Sequence, residues 1–236
     1  LNHENEFSAY YAGKAKSSIS YFSRAVKPDN GVYCTGGYIY RVHDGLYNKI
    51  MAADDIKLPG THNLENYMAA FAATDGYVDD DTCISVAKSF SGVEHRLEQV
   101  RVLNGVTFIN DSIGTSPTRT AAGLHALKQK PILIAGGYDK HIPFDELGDE
   151  ICLHVKKLYL TGATTEKIYA AVTKSKYFDG NLPIEKIDDF KDAVLAAADS
   201  AQDGDVVLLS PACAAFDKFK NFMERGKYFK QIVMEL

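Results

Sequence analysis

With 236 residues, 46% of them hydrophobic and 24% charged, the chain has the make-up of a globular protein able to bury a core, as one or two domains. A net charge of -5 without a Lys/Arg cluster speaks against nucleic-acid binding, and no apolar run is long enough for membrane insertion. No signal-peptide pattern opens the chain, and Cys34, Cys83, Cys152 and Cys213 are scattered with no C-x-x-C pair, so reduced thiols and a cytoplasmic location are expected.

In chain order, Leu1-Asn2-His3 lacks an initiator Met and reads as the interior of a longer protein. Tyr10–Ser20 reads as a helix, and Gly31–Tyr40, rich in Tyr, Val and Gly, as hairpin material. Helices are expected from about Leu64 to Ala73 and from about Val78 to Phe90. A domain boundary is placed near Glu94–Leu97, dividing 1–95 from 96–236.

Beyond it, short apolar runs alternate with helical stretches. Val106–Ile109, Ile132–Ala135, Leu158–Leu160 and Val206–Leu209 read as buried strands. Thr118–Lys128, Phe144–Val155, Thr165–Lys174 and Phe190–Gln202 read as helices, the first opened by Ser116 as cap and Pro117 in the first turn. This alternation predicts an α/β, Rossmann-like domain with a mostly parallel sheet covered by helices on both faces. After Leu209, the string Ser210-Pro211-Ala212-Cys213-Ala214-Ala215 is expected to lead into a helix that places Phe216, Phe219 and Phe222 on one face.

Several strings carry candidate chemistry. Asn63 and Asn66 stand at i and i+3, where two amides can face one ligand and match the donor and acceptor edge of an adenine. Glu94-His95-Arg96-Leu97-Glu98 sits at the boundary, where an Arg can fork onto a phosphate. Asn110-Asp111-Ser112-Ile113-Gly114-Thr115, Ala135-Gly136-Gly137-Tyr138-Asp139-Lys140 and the Ser210 string each follow a predicted strand, where open α/β sheets bind ligands. A helix cap, an Asx-turn and a tight turn are the plain structural readings of the same residues.

Together these strings resemble the Mur ligase family, in its D-glutamate-adding branch. Gly60-Thr61-His62-Asn63-Leu64-Glu65-Asn66 resembles its G-x-H-N-x-x-N motif, His95-Arg96-Leu97-Glu98 its H-R-x-E, and Asn110-Asp111-Ser112 with Thr115 its N-D-S-x-x-T. The resemblance implies ATP-dependent ligation of D-glutamate to UDP-N-acetylmuramoyl-L-alanine through an acyl phosphate, in peptidoglycan synthesis, with Mg²⁺. It assigns the nucleotide to Asn63, Asn66, Arg96 and Asp111, and D-glutamate to Thr115, Lys140, Ala215, Phe216 and Phe222. Catalytic roles go to Lys140 and Lys14, the latter as a carbamoylated lysine holding the metal in the Tyr10-Tyr11-Ala12-Gly13-Lys14 segment, with His3 as a further metal ligand.

By the same resemblance, Ile113 replaces a Lys of many relatives, whose contact is either missing or supplied elsewhere, and Ala215 a Ser of some relatives, for whose hydroxyl backbone N–H groups could substitute. No G-x-x-x-x-G-K-[ST] phosphate loop occurs, and no domain for the UDP-linked substrate. The chain therefore reads as the second half of the enzyme, comprising part of the central ATPase-type domain and the C-terminal domain, monomeric and inactive alone. Another Mur or folylpolyglutamate-type amide ligase, or a non-catalytic amino-acid or nucleotide-binding module, is the alternative.

Overall fold

A computed structural model describes residues 1–58 and 60–236; Pro59, which precedes the Gly60-Thr61-His62-Asn63 string, lies outside them. The chain divides into two units, Leu1–Ser91 and Gly92–Leu236.

The first unit contains α1 (Ser8–Ala12), β1 (Tyr21–Ser23), β2 (Gly31–Thr35), β3 (Tyr38–His43), β4 (Leu46–Ala52), α2 (Thr61–Ala73) and α3 (Asp80–Ser89). Its sheet runs β1-β2-β3-β4, with β1 parallel to β2 and the rest antiparallel. Val32, Ile39, Ile50 and Met51 of the sheet pack on Tyr67, Met68 and Phe71 of α2 and on Ala87 of α3. Arg41 is buried with them and donates to Asp75, Asp80 and the carbonyl of Phe71. Asp79 caps α3 by accepting from the Thr82 amide at 2.7 Å.

Two expectations change here. The helix foreseen over Tyr10–Ser20 is confined to Ser8–Ala12, and Lys14 lies beyond it. Gly13 and the Ser17-Ser18-Ile19-Ser20 run explain this, because Gly lacks helix propensity and Ser competes for backbone hydrogen bonds. The hairpin gains a third strand, β4, whose first four residues are exposed and show no apolar alternation.

The second unit comprises β5 (Glu98–Leu103), β6 (Val106–Asn110), α4 (Pro117–Ala126), β7 (Ile132–Ala135), α5 (Asp145–His154), β8 (Lys157–Leu160), α6 (Thr165–Lys174), β9 (Ile184–Lys186), α7 (Phe190–Asp199), β10 (Val206–Leu209) and α8 (Phe222–Glu235). The sheet order is β5-β6-β10-β7-β8-β9, parallel throughout except for the antiparallel β5. Successive strand residues point to opposite faces. Leu133, Leu158 and Leu208 join Leu124, Leu147, Ile151, Ile168 and Val172 of α4, α5 and α6. Ile132, Ile134, Val207 and Leu209 join Phe190 and Val194 of α7 and Phe229, Ile232 and Val233 of α8. Both faces are thus covered, the α/β architecture that the alternation predicts.

Ser116 occupies the N-cap of α4 with extended backbone, but its side chain makes no cap bond and contacts the Thr118 hydroxyl instead. The helix expected to carry Phe216, Phe219 and Phe222 does not form. Residues 211–221 are irregular, Ala212 takes φ 59°, and α8 begins only at Phe222. Its cap is Asn221, whose Oδ1 accepts from the Glu224 amide at 2.9 Å, while the Glu224 carboxylate accepts from the Lys220 amide. This reciprocal arrangement is close to a capping box and fixes the helix start.

Candidate active site

Strands β6, β10 and β7 are neighbours, so the loops leaving their carboxyl ends share one edge of the sheet. The chain runs outward from β7 to β9 before returning to lay β10 between β6 and β7, which makes this the switch point of the sheet.

The first loop starts at Asp111, which is 5% exposed. Its Oδ2 lies 2.7 Å from the Ser210 hydroxyl, and its Oδ1 accepts from the Leu97 amide at 3.2 Å. The Asp111 amide continues the ladder onto the Leu209 carbonyl at 2.7 Å. Burial pushes the carboxyl up to about 6, opposed by the Ser210 and Leu97 hydrogen bonds and by Arg96 and Arg119. Gly114 is required beside it, since a Cβ there would come within 2.7 Å of Asp111 Oδ2. Asp111 therefore ties the segment before β5 to the loop after β10. Thr115 is half-buried on the same loop.

The second loop begins with Gly136 and Gly137 at φ 117° and 145°. A Cβ would stand 1.9 Å from the Thr161 carbonyl in the first case and 2.5 Å from the Ala214 carbonyl in the second. The glycines let this loop touch the third one, through the Gly136 amide on Pro211 (2.8 Å) and the Tyr138 amide on Ala214 (2.9 Å). Lys140 follows, exposed and with no hydrogen bond or ion pair to a described residue. Its neighbour Asp139 is engaged by Lys167 instead, and its carboxyl is held below the usual range by that hydrogen bond and the one from the His141 amide.

In the third loop Ala215 is buried, and its carbonyl accepts from the amides of Lys218 and Phe219. Phe216 is 64% exposed and meets the Tyr138 ring edge-on at 5.8 Å. Phe219 turns to the opposite face, against Phe190 at 5.2 Å. Phe222 meets the His95 ring edge-on at 6.1 Å, and its carbonyl accepts from the Ser112 hydroxyl at 2.8 Å.

One residue holding these loops, Arg225, belongs to the Glu224-Arg225-Gly226 string that follows the Ser210 segment but receives no role from the sequence. Arg225, 2% exposed, donates from Nε to the Ser112 hydroxyl (3.0 Å) and from its two terminal nitrogens to the carbonyls of Ser112 (2.9 Å), Cys213 (3.0 Å) and Ala214 (3.1 Å). No carboxylate among the described residues lies within ion-pair distance of it. Burial lowers its pKa to about 10, so it stays cationic at neutral pH. Lying only one turn inside α8, it looks in the sequence like an ordinary surface arginine.

At the segment entering the second unit, His95 and Leu97 take left-handed φ of 67° and 45° on either side of Arg96. His95 is buried, with Nδ1 2.9 Å from Asn110 Nδ2, and its Nε2 has no hydrogen-bond partner among the described residues. Desolvation lowers its pKa, against the opposing pull of Glu94 and Glu98. Asn110 also donates to Glu98, and Gly226 leaves the space that the imidazole fills, since a Cβ there would lie 2.3 Å from His95 Nδ1. The backbone around Arg96 is thereby fixed while its side chain remains exposed.

The remaining candidates lie in the first unit. Asn63 and Asn66 occupy the first turns of α2, Asn66 exposed and Asn63 half-buried. Lys14 is exposed, with Nζ 4.2 Å from the Tyr10 ring centroid, and the His3 ring meets Tyr21 edge-on at 5.3 Å. Mg²⁺ takes oxygen ligands. An unmodified Lys14 ammonium offers only donors and His3 only nitrogen, so these residues as they stand do not fit that ion, and no step is derived through it.

Known proteins are similar to this chain over its whole length. The family described as "Mur ligase, glutamate ligase domain" matches residues 95–213. UDP-N-acetylmuramoylalanine–D-glutamate ligase of Acetivibrio thermocellus is 47% identical over 236 residues, covering 99% of this chain and 51% of that protein. The enzyme of the same name from Clostridium novyi is 45% identical over 237 residues, again with 51% of its length covered. Thus the chain spans about half the length of the curated relatives it matches. Among solved structures, MurF from Acinetobacter baumannii aligns over 100% of this chain and 51% of its own, with TM-score 0.65 and 15% identity. FolC from E. coli, solved in complex with ADP, aligns over 96% of this chain and 51% of its own, with TM-score 0.63 and 17% identity. These two likenesses concern the fold.

Proposed function

Because this chain belongs to the Mur ligase family, we propose that it supplies the D-glutamate site and part of the nucleotide site of an ATP-dependent ligase joining D-glutamate to UDP-N-acetylmuramoyl-L-alanine. The observation that carries this reading is the convergence of three loops, after β6, β7 and β10, on one sheet edge, with an exposed lysine and a buried cation.

The reaction activates the carboxylate of the UDP-linked substrate as an acyl phosphate, at the expense of ATP. The amine of D-glutamate then attacks that carbonyl, forming the amide bond and releasing phosphate. Lys140 is suited to a D-glutamate carboxylate, because its charge is exposed and not consumed by a neighbouring acid. Thr115 supplies a hydroxyl, and the loop around Ala215 supplies backbone in place of a serine side chain. Phe216 and Phe222 supply apolar walls. Asp111 acts on the nucleotide through Arg96, since its carboxylate is spent on fixing the backbone of Leu97. Asn63 and Asn66 of α2 are assigned to the nucleotide by the family resemblance alone. A carbamate on Lys14 would provide the oxygen ligands that Mg²⁺ requires. A cytoplasmic monomer is part of the same proposal and rests on the family resemblance alone. Separately, no described helix is long and apolar enough to cross a membrane.

Calorimetric titration of the 236-residue chain with D-glutamate, beside L-glutamate and a Lys140→Ala variant, tests the reading. Stereoselective binding weakened about tenfold or more by the substitution is expected, the size of a lost charge-assisted contact. Equal binding of both enantiomers, or indifference to Lys140→Ala, would sink it.

A further inference from the structure

Away from the three loops, His125, Glu150 and His154 bring one ligand atom each within 4.8 Å of one another. His125 stands in the last turn of α4 and His154 in the last turn of α5, with Glu150 one turn earlier in α5. Both imidazole Nε2 atoms approach the same oxygen: Glu150 Oε2 is 2.6 Å from His125 and 3.4 Å from His154. The rings meet edge to face, with centroids 4.9 Å apart.

Two further features favour a cation at this point. The ends of two helices converge on it, and a helix C-terminus carries negative partial charge from its unpaired carbonyls. His125 and Glu150 also wall a groove of about 570 Å³, together with Pro117, Ala121, Ile142 and Leu147, so an additional exchangeable ligand has room.

We propose that His125, Glu150 and His154 form a binding site for a divalent transition-metal ion of the zinc class. Two imidazoles and one carboxylate are a donor set that zinc takes, with an open fourth position. Tetrahedral bonds of about 2.0–2.1 Å separate neighbouring ligand atoms by about 3.3 Å. The 3.4 Å pair already has that spacing, and the 2.6 Å pair must open by a fraction of an ångström. The His125 and His154 side chains are 54% and 42% exposed and free to make that adjustment. A hard cation with a demand for octahedral oxygen is disfavoured by the two nitrogens. The bound ion would join α4 to α5 and so stiffen the helical layer beside the first candidate loop.

Titration of the 236-residue chain with Co²⁺ followed by displacement with Zn²⁺ tests the site. One equivalent should bind, giving cobalt d–d absorption without a thiolate charge-transfer band, and the unfolding midpoint should rise with metal concentration. His125→Ala and His154→Ala, both at exposed positions, should each weaken binding about tenfold or more. His43→Ala, in the other unit, should leave it unchanged. Absence of saturable binding, equal binding in wild type and both variants, or a charge-transfer band marking cysteine ligation would each overturn the proposal.

Discussion

Among the described residues each unit buries one arginine, and the two are used in opposite ways. Arg41 in the first unit meets two carboxylates, Asp75 and Asp80, and one carbonyl. Its charge is neutralised, and it stitches β3 to the end of α2, the linker after it and the start of α3. Arg225 in the second unit meets three carbonyls and a hydroxyl, with no carboxylate in ion-pair range among the described residues. The first arginine is a local structural clamp. The second clamps the loops after β6 and β10 together with its charge in no ion pair among the described residues, which suits a site for an acidic ligand.

Removing the cation tests that contrast most directly. Arg225→Met should destabilise the second unit by about 4 kcal/mol, since three buried carbonyls and a hydroxyl lose their donor. The loss should be read from urea unfolding, and D-glutamate affinity should fall with it. A loss below about 1 kcal/mol would mean that water replaces the guanidinium and that the loops need no clamp.

Asp111 provides a pH-dependent test within the same unit. Its pKa is raised to about 6 in the folded state, against about 3.8 when unfolded, so between those values the folded state binds more protons. Stability should therefore fall as pH rises from about 4 to 6, by up to about 3 kcal/mol from this group. Asp111→Asn keeps an acceptor for the Leu97 amide and should flatten that slope. An unchanged slope in the variant would show that another group titrates.

Arg41→Met should cost less than Arg225→Met, about 2 kcal/mol. The carboxylates it leaves, Asp75 and Asp80, are 33% and 39% exposed and can be rehydrated. Reversal of the order would break the comparison. The smallest effect on stability is expected for Lys140→Ala and Lys14→Ala, within about 0.5 kcal/mol, because both side chains are exposed. A larger thermal shift in either variant would reveal a structural role instead.

How much of this was legible in the sequence depended on burial. The strands β6, β7, β8 and β10 could be read because they are buried and their apolar runs are bounded by turn residues. β5 and β9 could not. β5 is an antiparallel edge strand that mixes Glu98, Gln99 and Arg101 with its apolar residues, and β9 has only three residues, none of them buried. The stretch from Phe216 to Phe222 was misread because a spacing of three residues mimics one face of a helix. In the structure each ring has its own destination: Phe216 outward on Tyr138, Phe219 on Phe190, and Phe222 on His95. Ala212, in a left-handed conformation that its residue type does not advertise, belongs to the same irregular stretch. The loops holding Asp111 and Lys140 could be placed by their position after buried strands, while the roles of Asp111, Thr115 and Lys140 rest on the family resemblance. Arg225 could not be singled out, because no local pattern separates an inward arginine from a solvated one.

The placement of β10 between β6 and β7 bears on how the protein is made. Those two strands are separated by one position in the sheet, and the strand that fills it follows β7 by some seventy residues. A nascent chain that has emerged only as far as α7 holds two apolar strand edges with no partner, and has neither α8 nor its arginine to bring the loops together. Synthesis from the N-terminus thus leaves the centre of this sheet until last, and the long-range pairing that completes it is of the slow-forming kind. The candidate binding edge comes into existence at the moment the sheet closes, so an incomplete chain has no partial version of the site to offer.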